Sequence, residues 1–214
     1  LLVDKDQFES MLRRTPFSVS TDESRPSLNG VLLEVEALEE DPNQASLRMV
    51  STDGHRLSKV ERSINAKDYD GSSHQCIIHR NGAAHLQRIF EGGEEPVRIE
   101  FLGRNVVFSY DQTRLQVRQI EENFPEYGRV IPDKGDAKIT LSRDEFVSAI
   151  RRVTSLSTGK HNLLRFDLDS GKLSLEMVHA DFGDAHEELP APEYEGSLLS
   201  IGFNPRYLLD ICGV

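Results

Sequence analysis

A nine-residue segment that occurs twice constrains the fold of this chain more than any other feature. Asp6-Gln7-Phe8-Glu9-Ser10-Met11-Leu12-Arg13-Arg14 returns as Asp144-Glu145-Phe146-Val147-Ser148-Ala149-Ile150-Arg151-Arg152, with Asp, Phe, Ser and the Arg-Arg pair in register. In both copies apolar residues recur at spacings of three and four, which predicts an amphipathic helix with one buried stripe. A strand-like piece precedes each copy (1–3 and 139–141). A loop and two strand-like runs follow each, 31–36 and 46–50 in the first, 163–168 and 172–178 in the second. Asp169-Ser170-Gly171 is the expected hairpin turn of the second copy, and 39–44 a longer loop in the first.

A weaker match joins Cys76-Ile77-Ile78-His79-Arg80-Asn81-Gly82 to Leu199-Ser200-Ile201-Gly202-Phe203-Asn204-Pro205. Each is a short strand leading into a helix, at about 81–90 and about 205–212. Three more strands are expected after the first helix, at 96–101, 105–110 and 114–120, whereas the sequence stops soon after the second. The unit is therefore strand, helix and three strands, used twice per domain. The second domain lacks its last three strands, and the N-terminus resembles the tail of a strand entering a helix. Both features lead us to expect a piece of something longer. Domains of 1–128 and 129–214 meet near Phe124-Pro125-Glu126-Tyr127-Gly128-Arg129-Val130-Ile131-Pro132. Its prolines and glycine break regular structure, yet it is too apolar for a loose linker and is expected to be packed down between the domains.

Composition narrows the function classes. With 29% charged and 37% hydrophobic residues the chain belongs with soluble globular proteins, and it has no apolar run long enough to span a bilayer. A net charge of -11 argues against coating nucleic acid with the whole surface but leaves room for a basic face on an acidic body. Cys76 and Cys212 form no C-x-x-C pair and are expected as buried thiols of a reducing cytoplasm. Asp53-Gly54, between the runs ending at Val50 and starting at Ser58, signals a hairpin turn. His55, Arg56 and Leu57 beside it are either the start of the next strand or one wall of a site.

Four segments in order carry a family resemblance: Ser27-Leu28-Asn29-Gly30-Val31-Leu32-Leu33, Thr52-Asp53-Gly54-His55-Arg56-Leu57, the Phe124 to Pro132 junction, and Gly202-Phe203-Asn204-Pro205-Arg206-Tyr207-Leu208-Leu209. Together they resemble bacterial DNA polymerase III beta subunits, the sliding clamps, over essentially the whole chain. By that likeness residues 1 to about 128 correspond to the clamp's middle domain and the remainder to about two-thirds of its third domain, with the first domain absent. The resemblance implies an α+β DNA clamp (processivity) fold of repeated β-α-β-β-β units, helices on one face and antiparallel sheets on the other. It also implies a cytoplasmic, non-enzymatic processivity factor without metal or cofactor, which slides on double-stranded DNA without reading bases. Full-length members act as a homodimer ring, and this piece is expected not to close one.

Carried over residue by residue, the family's peptide groove is Leu28, Thr52, Gly54, His55, Arg56, Leu57, Pro125 and Val130. It would receive short hydrophobic motifs from the DNA polymerase III alpha subunit, the clamp loader and repair proteins. Leu28, Leu57, Pro125 and Val130 would form an apolar slot, Gly54 would let the peptide approach, and His55 and Arg56 would supply rim donors. Ordinary core is the alternative for Leu57 and Val130. Gly128 stands where the family usually has a basic residue, and the C-terminal strand and tail that complete the groove lie beyond Val214. Candidate DNA-facing cations are Arg13, Arg14, Arg80, Arg88, Arg151, Arg152 and Arg206. The helix macrodipole offers a purely structural reason for arginine at a helix end.

Other motifs carry less. His179-Ala180-Asp181-Phe182-Gly183-Asp184-Ala185-His186 contains a kinase-like Asp-Phe-Gly and metal-ligating residue types, without the remaining kinase signatures. Ser157-Thr158-Gly159-Lys160 lacks the rest of a phosphate loop, and His74, His79 and His85 lack metal-ligand spacing. The competing functions are a β-rich protein-interaction module without a DNA role and a metal-dependent enzyme using the 179–186 cluster.

Overall fold

The computed structural model describes residues 1–214 apart from 39, 66–68, 70, 91–92, 134, 136, 157–162 and 195, and apart from the side chain of residue 42. The chain divides into two units, Leu1–Gly128 and Arg129–Val214.

The first unit runs β1 (Leu2–Val3), α1 (Lys5–Arg13), β2 (Gly30–Leu38), β3 (Asp41–Thr52), β4 (Leu57–Asn65), β5 (His74–His79), α2 (Arg80–Leu86), β6 (Val97–Leu102), β7 (Asn105–Tyr110) and β8 (Thr113–Ile120). This is the strand-helix-three-strand unit twice over. All eight strands form one sheet in the order β1-β6-β7-β8-β5-β2-β3-β4. The first strand of each repeat pairs into the other repeat, β1 with β6 and β5 with β2, while β5 also pairs with β8 of its own repeat. Antiparallel alternation then sorts side chains onto two faces. Val31, Leu33 and Val35 of β2 and Ala45, Leu47 and Met49 of β3 meet Phe8, Met11 and Leu12 of α1 and Ala83 and Leu86 of α2 in the main core. The intervening Leu32, with Val50 and Ile77, points to the opposite, helix-free face and makes a second, small cluster.

Local chemistry fixes the helix ends. The Asp4 carboxylate accepts the Gln7 N–H at 2.9 Å as N-cap of α1. At the other end the hydroxyls of Ser51 and Ser58 donate to the carbonyls of Thr15 and Arg14, each at 2.5 Å, and Thr15 Oγ1 donates to the Met11 carbonyl at 2.9 Å. The β3–β4 hairpin thus satisfies the two carbonyls just past α1, and Thr15 satisfies one within its last turn.

The second unit contains α3 (Arg143–Val153), β9 (Leu164–Asp169), β10 (Gly171–His179), β11 (Gly183–Ala191), β12 (Leu199–Phe203) and α4 (Pro205–Cys212), with sheet order β11-β10-β9-β12. Gly171, at φ +80°, makes the two-residue turn that brings Lys172 opposite Asp169. Ala149, Ile150 and Val153 of α3 pack on Leu164, Phe166, Leu173, Leu175 and Met177.

Four expectations need correction. Residues 139–141 form no strand. In the first unit the equivalent β1 is held by β6, and among the described residues the second unit has no strand in that place, so Ile139 and Leu141 only pack sideways against the core. Of the loop expected at 39–44, residues 41–44 are strand: Leu38 pairs with Asp41, and a register shift absorbs the extra residues. The helix at 81–90 is shorter, ending at Leu86. At the junction, Phe124 and Tyr127 rest on the Leu32, Val50 and Ile77 cluster, but Val130 is 70% exposed. The phosphate-loop-like 157–160 lies outside the described residues.

Candidate docking site and cationic helix face

The β3–β4 hairpin closes through Thr52 opposite Leu57, which leaves a four-residue loop rather than a two-residue turn. The loop is built by side chains. Thr52 Oγ1 accepts the Gly54 N–H at 3.0 Å and donates to the Arg56 carbonyl at 2.6 Å. The Asp53 carboxylate accepts the N–H groups of His55 (2.9 Å) and Arg56 (3.0 Å) and the Arg56 Nε–H (3.0 Å). Asp53 is partly buried, and burial alone would raise its pKa. The two backbone bonds and the Arg56 guanidinium outweigh burial and hold the carboxyl below its usual range.

A depressed folded-state pKa means stability that is fully present above the unfolded value of about 4 and lost as pH falls through the lower folded value. Acid titration should shift the Arg56 amide resonance below about pH 4, as the carboxylate that accepts its N–H is protonated, and Asp53→Asn should abolish that low-pH step.

Arg56, expected as a rim donor, is also engaged within the loop. Besides Asp53 it donates from Nη2 to the Phe17 carbonyl at 2.6 Å, and its guanidinium carbon lies 5.6 Å from the centre of the Phe17 ring. Gly54 is exposed, with the Arg25 guanidinium beside it. Its φ of +90° suits glycine, and a Cβ there would sit 2.9 Å from Arg25 Nη1. Arg25 Nη2 also donates to the Asp53 carbonyl at 3.2 Å. Sequence reasoning missed Arg25, Thr15, Ser51 and Ser58. Serines at core-facing positions of the alternation were the available signal for the last two.

The apolar groove candidates are distributed unevenly. Leu57 is half-buried against the Leu32, Val50 and Ile77 cluster on the helix-free face. Leu28 is 5% exposed and belongs to the 3-10 turn Pro26–Leu28, so its side chain is essentially core. His55 and Pro125 are exposed, Thr52 is half-buried, and Val130, in the second unit, is exposed. On the same sheet face Tyr127 donates its hydroxyl to Glu34 at 2.5 Å, and Arg48 pairs with Glu34 (3.7 Å) and with Glu36. Burial, followed by the bond to anionic Glu34, pushes the Tyr127 phenol far above its ordinary range.

The candidate cations also divide. Arg13, Arg14, Arg88, Arg151 and Arg206 are exposed and make no ion pair with a described residue. Arg152 is held by Glu187 through two bonds, at 2.7 and 3.1 Å, and that pairing raises its pKa while lowering that of Glu187. Arg80 donates to the Ser20 carbonyl at 3.3 Å and stands 3.9 Å from Glu23. The macrodipole accounts for Arg13 and Arg151, in last turns, but not for Arg80 or Arg206, in the first turns of α2 and α4.

Among the described residues no group of three His, Cys, Asp or Glu side chains could hold a metal ion. His179 packs on Phe182 at 4.7 Å between ring centres, and His186 lies 3.5 Å from Glu188 on β11. Cys76 and Cys212 are unpaired, and burial pushes the Cys76 thiol up to about 12.

Residues 2–126 match the model of the DNA polymerase III beta subunit central domain, and 128–214 match that of its C-terminal domain. The chain belongs to the DNA polymerase III beta subunit family. Relatives named beta sliding clamp include those of Caulobacter vibrioides, 33% identical over 213 residues (100% of this chain, 56% of the relative), and Pseudomonas putida, 32% identical over 212 residues (99% and 55%). The solved sliding clamp of Bartonella birtlesii is 31% identical, with a TM-score of 0.89, covering 100% of this chain and 56% of that one. Helices packed on antiparallel sheets are thus the α+β clamp architecture of this family. The chain spans little more than half the length of these beta subunit relatives. No helix among the described residues is long and apolar enough to cross a membrane.

Proposed function

We propose that this protein serves as a sliding clamp: a non-catalytic processivity factor that encircles double-stranded DNA, as a homodimer at full length, and docks replication and repair proteins. The observation that carries the docking half is Leu57, half-buried at the margin of an apolar cluster on the sheet face away from α1 and α2. Partners are hydrophobic linear motifs, such as those of the polymerase III alpha subunit and the clamp loader. Leu57 and Pro125 of the first unit make apolar contacts, Val130 of the second unit remains a separate candidate for one, and Thr52, Gly54 and Arg56 shape the wall with His55 at its rim. Arg13, Arg14, Arg88, Arg151 and Arg206 supply phosphate contacts without base readout, joined by Arg80 and Arg152 when DNA competes for their present partners. Solved clamps from Bartonella birtlesii and Pseudomonas aeruginosa are bound to griselimycin, so clamps of this architecture accept ligands.

The test is titration of a labelled Gln-Leu-x-Leu-Phe-type peptide into this chain and its Leu57→Ala and Val130→Ala variants. Losing a buried aliphatic contact should weaken binding about tenfold or more in Leu57→Ala, and by less at Val130. Equal affinity for all three proteins sinks the groove.

A further inference from the structure

Between Ile120, where β8 ends, and Tyr127, where a 3-10 turn begins, the chain forms neither strand nor helix. No ladder fixes its course, so its place on the first unit depends on side chains. Phe124 and Tyr127 are half-buried on the cluster of Leu32, Val50 and Ile77, the same cluster that seats Leu57. Their rings lie 6.3 Å apart, edge to face. Ring packing alone lets a short segment slide, because apolar contact has no direction. The Tyr127 hydroxyl supplies direction through its 2.5 Å bond to Glu34. Glu34 is itself held by Arg48, which is steadied by Glu36. Pro125, exposed between the two anchored rings, takes its position from them.

We propose that Tyr127 is a positioning residue for the docking surface: its bond to Glu34 fixes the Phe124–Tyr127 segment beside the Leu57 cluster, so that the apolar contacts stand ready before a peptide arrives. A pre-set wall spares the peptide the ordering cost of arranging it. Tyr127 itself need not touch the ligand. The segment of polypeptide that links the units is, on its first-unit side, part of the docking device. This inference rests on the docking reading above.

The experiment compares Tyr127→Phe, Glu34→Ala, Glu34→Gln, Tyr127→Phe/Glu34→Ala and Leu57→Ala for peptide affinity, and for amide exchange at residues 123–128 without peptide. Tyr127→Phe and Glu34→Ala should each weaken the peptide about fivefold and speed exchange in the segment, and the double variant should be no worse than either alone. Glu34→Gln keeps an acceptor for the hydroxyl and should stay near the parent. A residue that served stability alone would lower the melting temperature without this pattern of rescue and non-additivity. Unchanged affinity and exchange in Tyr127→Phe, with binding lost in Leu57→Ala, overturns the positioning role and leaves the groove standing. Unchanged affinity in Leu57→Ala overturns the groove reading and this inference with it.

Discussion

Phe8→Ala should destabilise the first unit by about 3–5 kcal/mol, whereas Phe146→Ala, at the same position of the repeated segment, should cost the second unit only about 1–2 kcal/mol. The sequence writes the two phenylalanines identically, but the structure does not treat them alike. Phe8 is fully buried, with its ring 5.7 Å from Phe90 and 5.8 Å from Phe108. Those partners come from the turn after α2 and from β7, in the second repeat of the same unit. Phe146 is half-buried and meets Phe166 at 6.0 Å. Alanine at position 8 therefore leaves an enclosed cavity, while alanine at 146 opens a site that water already reaches in part. Urea dependence of amide exchange, read in β2 for the first variant and β10 for the second, separates the two costs. Equal losses would show that the repeat, rather than its surroundings, sets the burial.

That contrast marks where the sequence was legible and where it was not. Helices and strands came from local periodicity, so α1, α3, β6, β7 and β8 fall close to where their patterns put them. Strand exchange between repeats, β1 to β6 and β5 to β2, depends on residues about 100 and 45 positions apart and leaves no local trace. It decides both the failure of 139–141 as a strand and the burial of Phe8. In the docking loop, Asp53 as a turn builder was legible because Asp-Gly has its own turn chemistry. Arg25 and Phe17 were not, since their contacts with the loop cross 28 and 39 residues. The sequence also marked Arg152 as a cation without showing the Glu187 that binds it.

Arg56→Ala should lower the stability of the first unit by about 2–4 kcal/mol and weaken peptide docking more than Leu57→Ala does. The side chain is only 17% exposed and holds three separate groups: the Asp53 carboxylate, the Phe17 carbonyl and the Phe17 ring. Removing it leaves the Phe17 carbonyl without this donor and Asp53 partly buried with backbone donors alone, a costlier result than losing an exposed ion pair. The loop then relaxes, and with it the Thr52–Leu57 pairing that sets Leu57 on the apolar cluster. Lysine should recover less than half of either loss, because a point charge cannot serve the carboxylate, the carbonyl and the ring in one geometry. Calorimetric melting and peptide titration on the same variants distinguish two roles for this arginine. A framework arginine loses melting temperature and affinity together. If Arg56→Ala melts like the parent while losing the peptide, Arg56 meets the ligand directly as a rim donor. The contacts to Asp53 and Phe17 would then only park it until a partner docks.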